Sequence, residues 1–201
     1  MQRRFVFPVL AIVLLLAGSL TWSAFQRLSE PPAVTSPIPV GGAFALVNHL
    51  GRTVTDADFR DRHLLVFFGY VFCPDVCPTA MSTITDALER LGSLGAKIQP
   101  LFISVDPDRD TPEVLNSFVE NFHPSIVGLT GSPEQIAKVA KGYHAYFMKV
   151  LEGEEGEEPD EDYLMYHTSN LYMMAPGGKF LARFRHDISP DELAAGLRKH
   201  M

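Results

Sequence analysis

Cys73 and Cys77 are the only cysteines in the 201-residue chain. They stand in the stretch Gly69-Tyr70-Val71-Phe72-Cys73-Pro74-Asp75-Val76-Cys77-Pro78-Thr79. An apolar run ends just before them and a helical pattern begins just after, which predicts a strand-to-helix junction. A helix N-terminus offers unpaired N–H donors and the positive end of the peptide dipoles. Both favour thiolate over thiol, so lowered pKa values are expected. The spacing is C-x-x-x-C, one residue wider than the C-x-x-C of general oxidoreductases. Residues four apart share a face where the backbone is helical, and the wider loop gives two thiolates room to hold one ion. Soft thiolates select Cu(I). A structural zinc site commonly takes four protein ligands, which two cysteines do not supply. An inert buried pair or plain disulfide is the other reading, although two cysteines make no disulfide scaffold at this size.

The elements that must position the pair are legible around it. Residues 64–69 (Leu-Leu-Val-Phe-Phe-Gly) form an unbroken apolar run, as expected for a central strand covered on both faces. Residues 78–91 place Ala80, Ile84, Ala87, Leu88 and Leu91 at helical spacing, with Pro78 early in the helix and Cys77 at its edge. Residues 98–105 read as a second buried strand. Three further helices open alike, with a hydroxyl N-cap followed by proline at the first helical position. These are Thr111-Pro112, running to 122, Ser132-Pro133, running to about 141, and Ser189-Pro190. Strands are predicted over 126–129, 143–150, 164–174 and, after the Pro176-Gly177-Gly178 turn, 179–184. Ahead of these, residues 44–48 and 52–54 flank Gly51 as a hairpin, and 55–59 form a single helical turn. The order β-α-β-α-β-α-β-β-α predicts an α/β domain with a mixed central sheet. It is the thioredoxin-like arrangement with an inserted strand and helix, and the cysteines lie where that fold holds its reactive thiols.

Three segments are expected: a membrane anchor over 1–27, a proline-rich linker over 28–40, and the thioredoxin-like domain over 41–201. Arg3 and Arg4 precede an apolar run from Phe5 to about Phe25. Such a run is long enough to cross a bilayer, which needs about 20 residues. The positive-inside rule leaves the arginines in the cytoplasm and the rest outside, so the anchored domain is expected in the periplasm of a bacterial-type inner membrane. A cleaved signal peptide is the competing reading, and both export the domain. No cysteine lies near the run, which excludes a lipoprotein anchor. Four prolines in 28–40 give an extended spacer. The formal charge of −7 argues against a nucleic-acid surface.

Three motifs in the right order resemble the Sco/SenC family of membrane-anchored copper chaperones for cytochrome oxidase assembly. They are Phe72-Cys73-Pro74-Asp75-Val76-Cys77-Pro78 after a Phe-Phe-Gly-Tyr strand, the stretch 102–112 containing Asp106-Pro107-Asp108-Arg109-Asp110-Thr111-Pro112, and Tyr163-Leu164-Met165-Tyr166-His167-Thr168-Ser169. The resemblance implies a copper site made of Cys73, Cys77 and His167, with the cysteines forming a disulfide when oxidised and binding Cu(I) when reduced. The added imidazole makes the site competent for Cu(II) as well. The family commonly has an aspartate directly before the histidine. Tyr166 stands there instead, which puts an orienting acid at that position in doubt and leaves the role to another group as an expectation.

The function so implied is delivery of copper to the dinuclear copper centre of cytochrome c oxidase. Subunit II is the partner, with a separate copper donor and a thiol reductant. Two other functions use the same sulfurs: a thiol–disulfide reductase that maintains the oxidase's copper-ligand cysteines, and a redox or copper sensor. No output domain is encoded for a sensor, and no peroxidatic motif is evident. His49, His63, His123, His144, His186 and His200 match no motif and are expected as surface or satisfied core groups. Asp106, Asp108 and Asp110 are expected to shape a turn, with Arg109 paired to an acid. Asp75 is placed to tune thiol acidity or meet a partner. Met148, Met165, Met173 and Met174 are expected as core filling. Residues 152–162 carry eight acids and no base, a solvated loop on charge repulsion alone.

Overall fold

A computed structural model describes residues 39–150 and 163–201. The predicted anchor, most of the linker and the acidic segment lie outside the described residues. Among the described residues no helix is long and apolar enough to cross a membrane.

The first hairpin pairs β1 (Ala45–Asn48) with β2 (Thr53–Thr55). A 3-10 turn, Asp56–Phe59, follows, closed by a Thr55/Asp58 capping box. The central strand β3 is His63–Gly69, and helix α1 is Val76–Leu91. Strand β4 (Ile98–Ser104) leads to α2 (Pro112–Val119), β5 (Val127–Thr130) and α3 (Pro133–Gly142). Then come β6 (Phe147–Val150), β7 (Leu164–His167), β8 (Asn170–Met174), β9 (Phe180–Arg185) and α4 (Pro190–Lys199).

Seven strands make one sheet in the order β2-β1-β5-β4-β3-β8-β9. The three middle strands run parallel, and β1, β8 and β9 pair antiparallel, so the sheet is mixed as expected. Phe67 and Phe68 are adjacent in β3 and therefore point to opposite faces. Phe67 meets Phe102, which packs on Phe118 of α2. Phe68 meets Tyr143 and Tyr172 edge-on. Both are fully buried, which is why this strand reads as a continuous apolar run. The predicted caps form: Thr111, Ser132 and Ser189 each accept a backbone N–H three residues on, the last two as capping boxes.

Four boundaries differ from the sequence expectation. Helix α1 begins at Val76, two residues before the expected start, so Cys77 and Pro78 both lie in its first turn. Proline is tolerated there because first-turn amides have no intrahelical partner. Helix α2 stops at Val119, where the amides of Asn121 and Phe122 turn to the three-back carbonyls of Phe118 and Val119. Over 143–150 only Phe147–Val150 is strand, since Tyr143 closes α3 and His144 takes a left-handed φ of 54°.

The fourth difference matters most. The continuous strand expected over 164–174 breaks at Thr168-Ser169. Its first half, β7, pairs only with β6 in a separate two-stranded ribbon, and its second half, β8, joins the large sheet beside β3. Thr168 makes the break by bonding both ways to Tyr146: its amide donates to the Tyr146 carbonyl at 2.8 Å, and its Oγ1 accepts the Tyr146 amide at 3.0 Å.

Candidate metal centre

The loop from β3 to α1 carries both sulfurs. Asp75 occupies the N-cap position of α1 but makes no side-chain cap. The Sγ of Cys73 takes that role, accepting the Cys77 amide at 3.4 Å. Cys73 is partly exposed and Cys77 is buried; neither is in a disulfide. A hydrogen bond from the Cys77 thiol, aided by His167 and first-turn amides, draws Cys73 down to about 3. The same contact, with burial, pushes the Cys77 thiol above its ordinary value. The pair therefore rests as one partly exposed thiolate and one buried thiol, which corrects the expectation that both values fall.

His167 ends β7, opposite Phe147. Its Nε2 lies 3.6 Å from the Sγ of Cys77. The two sulfurs and an imidazole nitrogen all lie within 4.8 Å of one another. Metal–sulfur and metal–nitrogen bonds of roughly 2.3 and 2.0 Å reach across such separations with little closing, so this donor set fits one soft or borderline ion. Tyr166, directly before His167, supplies no carboxylate, and aromatic rings pack against the imidazole. Tyr70 stands perpendicular to the imidazole at 5.7 Å and Phe67 edge-on at 6.3 Å. On the other ring nitrogen, Nδ1 faces the Thr168 carbonyl at 3.4 Å.

A buried polar cluster lies beneath the cysteine loop. Asp110 is fully buried. Its Oδ2 accepts the Ser104 hydroxyl at 2.6 Å and the Val71 amide at 3.1 Å. Its Oδ1 has no partner among the described residues. Burial, outweighing those hydrogen bonds, pushes its carboxyl up to about 6. Asp106, equally buried, accepts Arg109 Nε at 2.6 Å and the Tyr163 hydroxyl at 2.5 Å. The expected pairing of Arg109 with an acid is thus present. The importance of Tyr70, Asp110 and Tyr163 was not deduced from the sequence; three acids crowded against one arginine in Asp-Pro-Asp-Arg-Asp were the available signal.

The remaining residues singled out fall elsewhere. Met165, Met173 and Met174 are core. Met148 is not: it is 63% exposed, directly across the ribbon from Tyr166 at 66%, because alternate residues of a strand face opposite sides. His49 accepts the Gly128 amide, His123 bonds Ser125, and His144 meets the Pro39 carbonyl. Among the described residues, none of them joins the cysteines.

The SCO1/SenC family model matches residues 32–201. The chain belongs to the SCO1/SenC family. Protein SCO1 homolog, mitochondrial, of Homo sapiens is 38% identical over 164 residues, covering 81% of this chain and 53% of that protein. The SCO2-like protein of Rickettsia felis is 32% identical and aligns over 98% of both chains. The chain spans about half the length of the mitochondrial relatives it matches first, the human and Arabidopsis proteins, at 53% and 47%. The solved structure of Bradyrhizobium japonicum ScoI with copper bound is 40% identical, with a TM-score of 0.71 over 81% of this chain and 99% of that one. The thioredoxin-like fold with a mixed central sheet is therefore the SCO1/SenC fold, and copper is the metal bound in that relative.

Proposed function

We propose that this SCO1/SenC chain is a copper carrier for cytochrome c oxidase assembly, binding one copper ion through Cys73, Cys77 and His167. The observation that carries the reading is the convergence of two sulfurs and one imidazole within 4.8 Å at a helix N-terminus. The thiolate pair suits Cu(I), and the imidazole extends the site to Cu(II). Loading requires the buried Cys77 thiol to lose its proton, while Cys73 is already ionised. In the full reading, residues 1–27 anchor the domain to a bacterial-type inner membrane and 28–40 hold it off the periplasmic surface. The copper passes to the dinuclear centre of oxidase subunit II, after loading by a separate copper donor and reduction by a thiol reductant.

A second reading is favoured by the inequality of the two cysteines. A partly exposed thiolate at Cys73 backed by a buried thiol at Cys77 suits attack on a partner's disulfide, followed by closure of the Cys73–Cys77 disulfide and release of two partner thiols. That is the reductase that maintains the oxidase's copper-ligand cysteines.

One paired assay decides between them. The reduced chain is titrated with Cu(I) and with Cu(II), and its rate of disulfide reduction is measured in parallel. The carrier reading expects about one copper per chain, abolished by Cys73→Ser or Cys77→Ser, with His167→Ala weakening Cu(II) more than Cu(I). No copper binding together with rapid disulfide reduction gives the reductase.

A further inference from the structure

The three donors come from two pieces of structure that share no strand ladder. The cysteines follow β3 of the large sheet, whereas His167 ends β7 of the two-stranded ribbon. Something must hold the ribbon at a fixed height above the cysteine loop. Apolar packing beneath it comes from Met165 in the core, with Phe147 and Tyr163 against it. An open groove of about 160 Å³, lined by Asp106, Pro107, Ile136, Phe147 and Met165, remains beside the β4–α2 loop.

Arg109, in that loop, touches both pieces. Its guanidinium carbon lies 3.6 Å from the ring centre of Tyr163, the residue that leads into β7. It lies 4.9 Å from the ring centre of Phe72, the neighbour of Cys73. The arginine is held in place by Asp106 at 2.6 Å, and only 15% of its side chain is exposed. Tyr163 closes the circuit by donating its hydroxyl to the same Asp106. A planar guanidinium is the group that can stack on rings and pair with a carboxylate at once. Lys149 of β6 joins the same cluster, its ammonium 4.5 Å from the Tyr163 ring centre and paired with Asp108 at 2.9 Å, but that ion pair is exposed and contributes little.

We propose that Arg109 is a positioning residue for the metal centre: by packing on Phe72 and Tyr163 together it locks the histidine ribbon to the cysteine loop and keeps His167 in reach of the two sulfurs. This rests on the reading of Cys73, Cys77 and His167 as copper ligands. Two variants test it in the otherwise complete chain: Arg109→Ala, and Tyr163→Leu, which removes the ring while leaving Asp106 paired with Arg109.

The first readout is amide hydrogen exchange in the metal-free, reduced protein. Both variants are expected to speed exchange in 147–150 and 163–167 by roughly tenfold, the scale of a partly buried cation–π contact, with β3 and β4 unchanged. The second readout is the copper site itself. The nitrogen hyperfine signature of Cu(II) is expected to weaken, and the affinity for Cu(II) to fall roughly tenfold more than that for Cu(I). Arg185→Ala, which removes an exposed pair with Asp187 outside the ribbon and the cysteine loop, is the control and should move neither readout.

Unchanged exchange in the ribbon and an unchanged ratio of the two copper affinities, in whichever variant folds, would overturn the proposal. Uniformly faster exchange across the whole domain would also overturn it, by showing a merely structural role. If the wild-type chain binds no copper while ribbon exchange still rises in the variants, the ligand reading fails and the mechanical link between ribbon and loop stands.

Discussion

The Sγ of Cys77 fills the space that a side chain on Gly69 would take. A Cβ placed on Gly69 would stand 2.8 Å from the Sγ of Cys77 and 2.9 Å from the Phe102 ring. The glycine at the end of β3 is the seat of the buried sulfur. Gly69→Ala must displace either the sulfur or a fully buried phenylalanine. We expect a loss of about 1–3 kcal/mol, the usual cost of overpacking a core. Copper affinity should fall at least roughly tenfold, because binding depends on sulfur placement within a few tenths of an ångström. Denaturant unfolding and competition titration with a Cu(I) chelator measure the two effects.

The two thiols should be told apart by alkylation. With Cys73 drawn down to about 3 and partly exposed, its reaction with iodoacetamide should be rapid at pH 7 and nearly independent of pH from 5 to 9. The rate should fall only as the solution approaches pH 3. Cys77 is buried and raised, so it should stay unmodified until the chain unfolds. Mass spectrometry of the native, reduced protein reads both. Equal labelling of the two cysteines would refute the asymmetry.

Asp110 should make the domain less stable as pH rises. Its carboxyl is raised from 3.8 to about 6, so the folded chain prefers the protonated form. The contribution is fully present below pH 3.8, is lost as pH climbs to about 6, and is constant above. At about 1.4 kcal/mol per pH unit between those values, the loss is on the order of 3 kcal/mol. Cys73, whose value is depressed, acts in the opposite direction over a wider span. The informative quantity is therefore the difference between the wild type and Asp110→Asn. That difference should shift in favour of the variant between pH 4 and 6 in urea titrations of the reduced, metal-free protein, and should be flat above pH 7.

Tyr166→Asp places an acid directly before His167. It should change little here, because Tyr166 projects from the face of the ribbon opposite His167. We expect copper affinities within about twofold of wild type, the scale of an exposed charge. Tyr70→Leu should do more. It removes the ring perpendicular to the imidazole, and the Cu(II) affinity should drop while Cu(I), held chiefly by sulfur, changes less.

Much of this architecture is legible in the sequence because it is written in short-range signals. The Thr111-Pro112, Ser132-Pro133 and Ser189-Pro190 caps each act within four residues. The unbroken run over 64–69 declares a strand buried on both faces. The junction that holds Cys73 and Cys77 follows from that run together with the helical spacing over 78–91. What escapes is the partition of 164–174 into two sheets. Periodicity cannot register that Thr168 bonds to Tyr146, twenty-two residues away. For the same reason Tyr163 reads only as the residue before a strand. Its worth lies in contacts with Arg109 and Asp106, more than fifty residues back in the chain. The packing of the Tyr70 and Phe67 rings against His167 is likewise a fact of three-dimensional juxtaposition.

The separateness of the β6–β7 ribbon has an evolutionary reading. Every hydrogen-bonded neighbour of β3, β4 and β8 lies in the large sheet, so the framework that carries the sulfurs does not depend on the ribbon for its ladders. A thiol protein could acquire its third donor through one grafted excursion ending in a histidine, and could lose it the same way, without re-pairing the strands of its large sheet. Metal selectivity in such a lineage is free to drift on a short, replaceable segment while redox chemistry stays fixed in the scaffold beneath.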